Sequence, residues 1–319
     1  MSRNWRPTAS PGVLAARAAL LAAVRNYFAA SGAMEVETPQ LSPAPVSDPL
    51  LDSVEARLTG KATPVFLQTS PEFAMKRLLA AGMGDCFQVC RVFRDGERGR
   101  LHLPEFTMIE WYRLGRDLEG MMDDVEALLR HLTDRRALPA QRLTFREVIR
   151  RAAGVDGLLG STEQLCTALL ERGIEVPGGI REDRDALLDL VMGALAGPAL
   201  GHGQPVMVHD YPASQASLAR LRTVEGLEVA ERFELYLGGM EIANGYHELA
   251  DPVEQRRRFE ADLARRLQLG KPASIDQDLL AALEAGLPDC SGVALGFDRL
   301  VMHLLGLDRI EHAVSFTMD

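Results

Sequence analysis

The chain has 319 residues, 47% of them hydrophobic and 25% charged, with a formal net charge of −10. That balance is globular, and the acidic excess argues against a protein whose main task is gripping a phosphate backbone, tRNA included, which needs clustered Lys and Arg. No uninterrupted apolar run reaches the ~18 residues of a membrane span. The start, Met1 to Gly12, has no apolar signal core, and the four cysteines are too few and scattered for a disulfide framework. No membrane and a reducing cytoplasm are expected.

Val13 to Ala30 is rich in Ala and Leu at helical spacing, and Gly32 can end it. Met34 to Pro39 predicts a short strand stopped by proline. Residues 40–63 predict a loop or ribbon, and Pro64 to Ser70 a strand. Ser70-Pro71-Glu72 has the form of an N-cap, a first-turn proline and a dipole-matched acid, opening a helix to about Ala81. Two strands, Asp85 to Arg94 and Glu105 to Leu114, flank a charged loop. Residues 118–134 predict an amphipathic helix. Thr144-x-x-Glu147 and Ser161-x-x-Gln164 match capping boxes, so 145–153 and 162–172 should be helices, with another over 182–196. Pro205 to Tyr211 and Leu227 to Glu248 return to strand, the latter folded at Gly238-Gly239. Helices over Val253 to Gly270 and Ile275 to Ala285 follow, and Cys290 to Leu295 feeds a strand into a helix near Phe297.

This order is a β-rich chain with a helical insertion over about 118–200, not the alternation of a doubly wound parallel sheet. No P-loop or Rossmann glycine motif is present. Cys86 and Cys90 lie four apart on an expected strand, with no second Cys or His pair to match, so buried thiols are favoured over a metal site. Arg256-Arg257-Arg258, beside Glu254 and Glu260, reads as a solvated helix face.

Three polar motifs stand out. In Cys90 to Tyr112, Arg94 ends one strand and His102 begins the return. An arginine there can hold a phosphate and a carboxylate together. Glu231 to Leu249 places four carboxylates on a hairpin. Side chains alternate along a strand, so Asn244, Tyr246 and Glu248 share a face. Glu241 joins them only through an irregularity, expected at Asn244-Gly245. Glu234, across the turn, can approach Glu241, and two facing acids call for a cation between them. Arg232 is the one basic partner in the stretch. In Gly292 to Arg299, small residues let a planar group approach the backbone. Arg299 at a helix start opposes the dipole unless an anion binds there. Singly, a charged hairpin tip or an exposed strand pair would account for the first two. Together they supply what ATP, Mg²⁺ and a cationic amino acid require.

The three segments resemble motifs 1, 2 and 3 of class II aminoacyl-tRNA synthetases, through GAMEVETP (Gly32 to Pro39), FRDGERGRLHLPEFTMIE (Phe93 to Glu110) and GVALGFDR (Gly292 to Arg299). TSPE, HxPEFTMxExY and ExANGYxEL are similar to the lysyl-tRNA synthetases, over nearly the whole chain from about residue 12 to 319. Those enzymes carry an anticodon-binding barrel ahead of the core, whereas only about ten residues precede the first helix here. The chain is more similar to the stand-alone synthetase paralogues that attach (R)-β-lysine to a lysine of elongation factor P, through HDYPASQASLA (His209 to Ala219) and LPDCSGVALGFDRLVM (Leu287 to Met302). The resemblance implies an α+β fold, an antiparallel sheet flanked by helices in one catalytic domain spanning 1–319 without an anticodon-binding domain. It also implies a motif 1 homodimer.

It further implies roles at matching positions. Arg94 and Arg299 are the catalytic cations: Arg94 binds the α-phosphate and the amino-acid carboxylate. His102 and Arg299 hold the outer phosphates, Arg299 also lying near adenine. Asp95, Gly96, Glu97, Leu103, Phe106, Glu241, Ile242 and Gly296 complete the ATP site, and Glu234 and Glu241 coordinate Mg²⁺. Glu72 takes the substrate amino group near its carboxylate, beside Ser70 and Pro71. Glu110, Tyr112, Asn244, Tyr246 and Glu248 line the pocket of the distal ammonium, which needs compensating carboxylates once desolvated. Gly96 stands where the family usually has an acid, Leu103 where it has Asn, and Ala294 where lysyl-tRNA synthetases have glycine, beside the substrate's α-region. The implied reaction is ATP-dependent adenylation of β-lysine or lysine, then transfer to a lysine ε-amine of elongation factor P. The rivals are a truncated synthetase acylating tRNA or another small acceptor, a non-catalytic binding module, and an ammonia-dependent asparagine-type synthetase. The last would set an acidic substrate against Glu110 and Glu248.

Overall fold

The structure is a computed structural model that describes residues 5–133 and 138–318. In chain order its elements are α1 (Pro11–Ala30), β1 (Met34–Glu35), β2 (Leu41–Ser42), β3 (Glu55–Ala56), β4 (Val65–Leu67), α2 (Glu72–Ala80), β5 (Cys86–Phe93), β6 (Glu105–Leu114), α3 (Leu118–Leu132), β7 (Gln141–Thr144), α4 (Phe145–Ala153), α5 (Thr162–Glu171), α6 (Arg184–Val191), β8 (Val206–Pro212), β9 (Leu221–Val224), β10 (Leu227–Leu237), β11 (Met240–His247), α7 (Pro252–Gln268), α8 (Gln277–Gly286), β12 (Cys290–Gly296) and α9 (Phe297–Leu304). They form two compact units, Met1–Gly115 with Ala250–Asp319, and Arg116–Leu249.

In the first unit β1, β5, β6 and β12 lie side by side in that order. β5 and β12 are antiparallel to β6, whereas β1 runs parallel to β5, so the sheet is mixed rather than purely antiparallel. The ribbon expected within 40–63 exists: β2 and β3 both pair with β4. Across the main sheet Gln88 faces Glu110, and Glu110 in turn faces Ala294. Alternation therefore puts Gln88, Glu110, Tyr112, Gly292 and Ala294 on one face. The other face takes Phe87 and Trp111, where α1 packs. Phe28 stacks on Phe87 with ring centroids 4.4 Å apart and tilts against Trp111 at 5.2 Å. Burying that ring contributes about 2–3 kcal/mol.

α1 starts at Ser10, whose Oγ accepts the Val13 N–H. Of its residues only Val24 and Phe28 are buried. By length and composition α1 could span a membrane, with mean hydropathy 1.3 over its best window. Arg17 and Arg25 interrupt the run that the sequence offers, and Arg17 ion-pairs with the buried Asp298 at 2.6 Å.

In the second unit β11, β10, β8 and β7 are neighbours, with β9 on β10. β7 lies parallel to β8, so the 118–200 stretch is not wholly helical. α4, α5 and α6 cover this sheet through Phe145, Ile149, Leu165, Leu169, Leu187 and Val191, all fully buried. Both predicted capping boxes form, at Thr144/Glu147 and Ser161/Gln164. The helix predicted over 182–196 stops at Val191, loosens into a π turn over Met192–Ala196 and runs on as a short 3-10 turn over Gly197–Ala199. The helix predicted over 118–134 ends at Leu132, and residue 134 lies outside the described residues.

Candidate active site

The motif 2 arginine is held by backbone and ring together. Arg94 follows β5, donates its N–H to the Pro104 carbonyl at 2.9 Å, and lays its guanidinium over Phe106 at 5.1 Å. Its nearest anion is Glu97, at 3.7 Å. Its Nε is buried with no hydrogen-bond partner, and an orphaned charged donor of that kind calls for an anionic ligand. Gly96 adopts φ +76°, a left-handed turn that glycine takes without strain, and Asp95 Oδ1 accepts its N–H. The turn geometry explains glycine where the family usually has an acid.

The tip of this loop is pinned within the same unit. Gly99 and His102 bridge each other, the Ile310 N–H binds the Arg100 carbonyl, and Arg299 Nε donates to the Leu101 carbonyl at 3.2 Å. Arg299 also donates to His102 Nε2 at 2.5 Å. That bond needs a lone pair, so His102 is neutral here. Burial first, then the Arg299 charge, depress its pKa below the usual 6.5; Glu97 opposes them, and Arg94 adds the weakest lowering effect. The placement of Arg299 in the first turn of α9 rests on Asp298. This buried carboxylate accepts the Thr107 N–H at 3.0 Å and pairs with Arg17.

Deeper on the same sheet face, the buried Glu110 accepts hydrogen bonds from Ser70 Oγ (2.9 Å) and Tyr112 Oη (2.7 Å). Ser70 Oγ also accepts the Glu72 N–H at 3.0 Å, although Pro71, not Ser70, occupies the cap position of α2. Glu72 already has a cation, the buried Lys76 one turn on, at 2.6 Å. Gly296 and Ala294 end β12 on this face, and Leu103 is half-buried at the loop's base. Burial, reinforced by Asp85 at one thiol and Glu110 at the other, pushes Cys86 and Cys90 up to about 12.

The second unit carries the carboxylate hairpin. Gly238 and Gly239, at φ +57° and +79°, form the tight turn, as the glycine pair predicts. A Cβ on Gly239 would meet the Pro198 carbonyl at 2.9 Å. Register corrects two expectations. Glu234 faces Asn244 and Tyr236 faces Glu241, so the two acids lie diagonally rather than opposite. The irregularity is at Ile242, the extra residue of β11, not at Asn244-Gly245. That single insertion turns Glu241 onto the face of Asn244, Tyr246, Arg232, Glu234 and Tyr236.

Glu234 already has two side-chain partners. Arg232 binds its Oε1 at 2.6 Å and Tyr236 Oη donates to its Oε2 at 2.7 Å. Burial alone would depress the Arg232 guanidinium, but Tyr246 and Glu234 outweigh it and keep the group charged. The same guanidinium lies over Tyr211 at 4.5 Å and donates to the Gln215 carbonyl. Asn244 Nδ2 donates to Tyr246 Oη at 3.0 Å, leaving its buried Oδ1 without a partner. Glu248 is fully buried at the end of the hairpin. Among the described residues no group of three or more His, Cys, Asp or Glu could hold a metal ion. Sequence reasoning missed Asp298, Arg17 and Gln88; Asp298 adjoins Arg299, which it did single out, and that adjacency inside the motif was the available signal.

This fold and arginine-bearing face belong to a known class. The chain is a member of the class II tRNA synthetases (D, K and N), whose family model matches residues 4–319. It is 46% identical to the elongation factor P–(R)-β-lysine ligase of Vibrio parahaemolyticus, over 99% of this chain and 98% of that one. The ligases of the same name from Salmonella dublin and Salmonella arizonae are similar to the same extent, 46% identical over 99% of this chain.

Proposed function

We propose that this protein is an ATP-dependent ligase that activates (R)-β-lysine, or α-lysine, as its adenylate and transfers it to a lysine ε-amine of elongation factor P. The observation that carries the reading is the strand face of the first unit. An arginine with an orphaned buried Nε, stacked on Phe106, is followed along the sheet by a buried carboxylate dressed with two hydroxyl donors. One end suits a phosphate and a carboxylate, the other an ammonium.

In this reading the substrate carboxylate attacks the α-phosphorus of ATP and pyrophosphate leaves. Arg94 stabilises the charge that builds on the α-phosphoryl oxygens. Arg299 and neutral His102 bind the outer phosphates. Glu110 and Tyr112 hold the distal ammonium. No enzyme-bound covalent intermediate is needed, so positioning carries much of the rate. The acceptor amine then attacks the acyl carbon, AMP departs and an amide forms.

Glu234 and Glu241, two carboxylates on one strand face, fit a Mg²⁺ that arrives with the nucleotide, since Mg²⁺ usually takes one or two carboxylates with phosphate and water. Such an ion would offset phosphate charge. Arg232 and Tyr236 hold Glu234 in one orientation on that face. A cytoplasmic homodimer is part of the proposal, and the mostly exposed, alanine-rich α1 supports it. Light scattering showing a monomer would remove that part.

The test is ATP–pyrophosphate exchange with L-α-lysine and (R)-β-lysine, followed by mass spectrometry of elongation factor P and of tRNA. Exchange and one added lysyl unit on the protein, with tRNA uncharged, is the expected result. Acylated tRNA and unmodified factor would favour the tRNA-charging alternative instead.

A further inference from the structure

Gln88 is 3% exposed, and its Oε1 is buried without a hydrogen-bond partner. It lies on β5 directly across from Glu110, on the strand face that carries Ser70's partner carboxylate. Directly opposed residues in an antiparallel pair have Cβ atoms ~5 Å apart. On the other side of Glu110 the strand partner is Ala294, which offers only a methyl group. Within the ladder, Gln88 is therefore the polar neighbour of the carboxylate.

The donors nearby are committed. Ser70 and Tyr112 give their hydroxyl protons to Glu110. Gln68 gives its amide N–H groups to Cys90 Sγ and the Arg91 carbonyl. A carboxamide oxygen and a carboxylate are both acceptors and cannot satisfy each other. Leaving a buried acceptor unmet is costly. A primary ammonium has three N–H donors and can serve both at once. A hydroxyl or methyl terminus cannot.

We infer that Gln88 is a specificity-determining residue: its Oε1 accepts one N–H of the substrate's distal ammonium while Glu110 supplies the charge. This rests on the proposed lysine-activating function and deepens it. A buried acceptor that needs a donor discriminates against substrates whose distal end carries none, beyond the attraction Glu110 exerts.

The test compares wild type, Gln88→Leu and Gln88→Glu in ATP–pyrophosphate exchange. The substrates are (R)-β-lysine and L-lysine, against 3-aminohexanoate and norleucine, which lack only the distal amine. The analogues are scored as inhibitors where turnover is too slow. Gln88→Leu should lose roughly 10- to 100-fold in kcat/KM for the diamines. The analogues should be unaffected or bind better, and KM for ATP should stay within about two-fold. Gln88→Glu, which keeps an acceptor, should retain most of the preference for diamines. Equal losses for diamines and analogues, or an unchanged preference in Gln88→Leu, would overturn the assignment while leaving the enzyme a lysine-activating ligase. Absence of exchange by wild type with either lysine would overturn both readings together. Thermal melts of the three proteins identify a variant that fails to fold, and Gln88→Glu then decides: loss of the diamine preference there, with analogues unaffected, contradicts an acceptor role.

Discussion

Replacing Asp298 by Asn tests whether the motif 3 arginine is set by a buried ion pair. Asp298 and Arg17 have side chains 1% and 11% exposed and meet at 2.6 Å. Asn keeps the shape and an oxygen for the Thr107 N–H but removes the charge, stranding the Arg17 guanidinium among Phe297, Thr107 and the Ala313 carbonyl. Breaking one partner of a buried pair costs about 3–5 kcal/mol, against a total stability of about 5–15 kcal/mol. At ~2–4 °C per kcal/mol the melting temperature should fall by about 10 °C. Arg299 is the next residue along, so KM for ATP should rise in the same variant. Urea unfolding of Asp298→Asn, Arg17→Met and the double variant forms a cycle that isolates the pair. A coupling energy below ~0.5 kcal/mol, or an unchanged KM for ATP, would refute the idea that this pair positions Arg299.

Three further expectations follow from other buried groups. Arg266, 1% exposed, donates to the carbonyls of Asp48, Leu51 and Pro272, and the Asp52 carbonyl in that clamped loop accepts the Asp95 N–H beside Arg94; Arg266→Met should cost about 3–5 kcal/mol at ~1.5 per charged hydrogen bond and raise proteolysis at residues 48–52, and a urea midpoint equal to wild type would contradict this. His102 has a folded pKa below its unfolded 6.5, so the unfolded chain binds more protons in that window, and the group's share of stability is complete above pH 6.5 and lost as pH falls toward the folded value. His102→Gln should therefore lose less stability than wild type between pH 7 and 5.5, and identical slopes would count against a buried neutral imidazole. Cys86 and Cys90, pushed up to about 12, should resist iodoacetamide at pH 8 until the protein is unfolded, as read by peptide mass mapping.

What the amino-acid sequence made legible was local. Capping boxes, the Gly-Gly turn and the strand–helix junction at Phe297 depend on a few adjacent residues, and the structure has them where the residues ask. The motif arginines were legible as well, because Arg94 and Arg299 stand in dense, specific surroundings. The partner of a charge was not. Glu234 read as one of two acids awaiting a cation, whereas Arg232, two residues away on the same face, already holds it. Period-two alternation in fact puts them together, but the outward-facing ion pair and the inward-facing one look alike in sequence. Burial makes the difference, and burial is a property of what packs above.

Register was the least legible feature, for a physical reason. A strand's side-chain period is two, so one inserted residue moves everything on its far side to the opposite face. In β11 that residue is Ile242, apolar and indistinguishable by type from its regular neighbours, with its own side chain buried. Without the bulge, Glu241 would share a face with Ala243 and Gly245, away from Glu234. With it, Glu241 faces Tyr236, one step along from Glu234 and the Asn244–Tyr246 pair. The carboxylate pair proposed to take a divalent cation therefore exists only because of an irregularity that no residue-by-residue pattern announces. Bulges of this kind recur beside active sites because they re-aim a side chain without disturbing the strand that carries it.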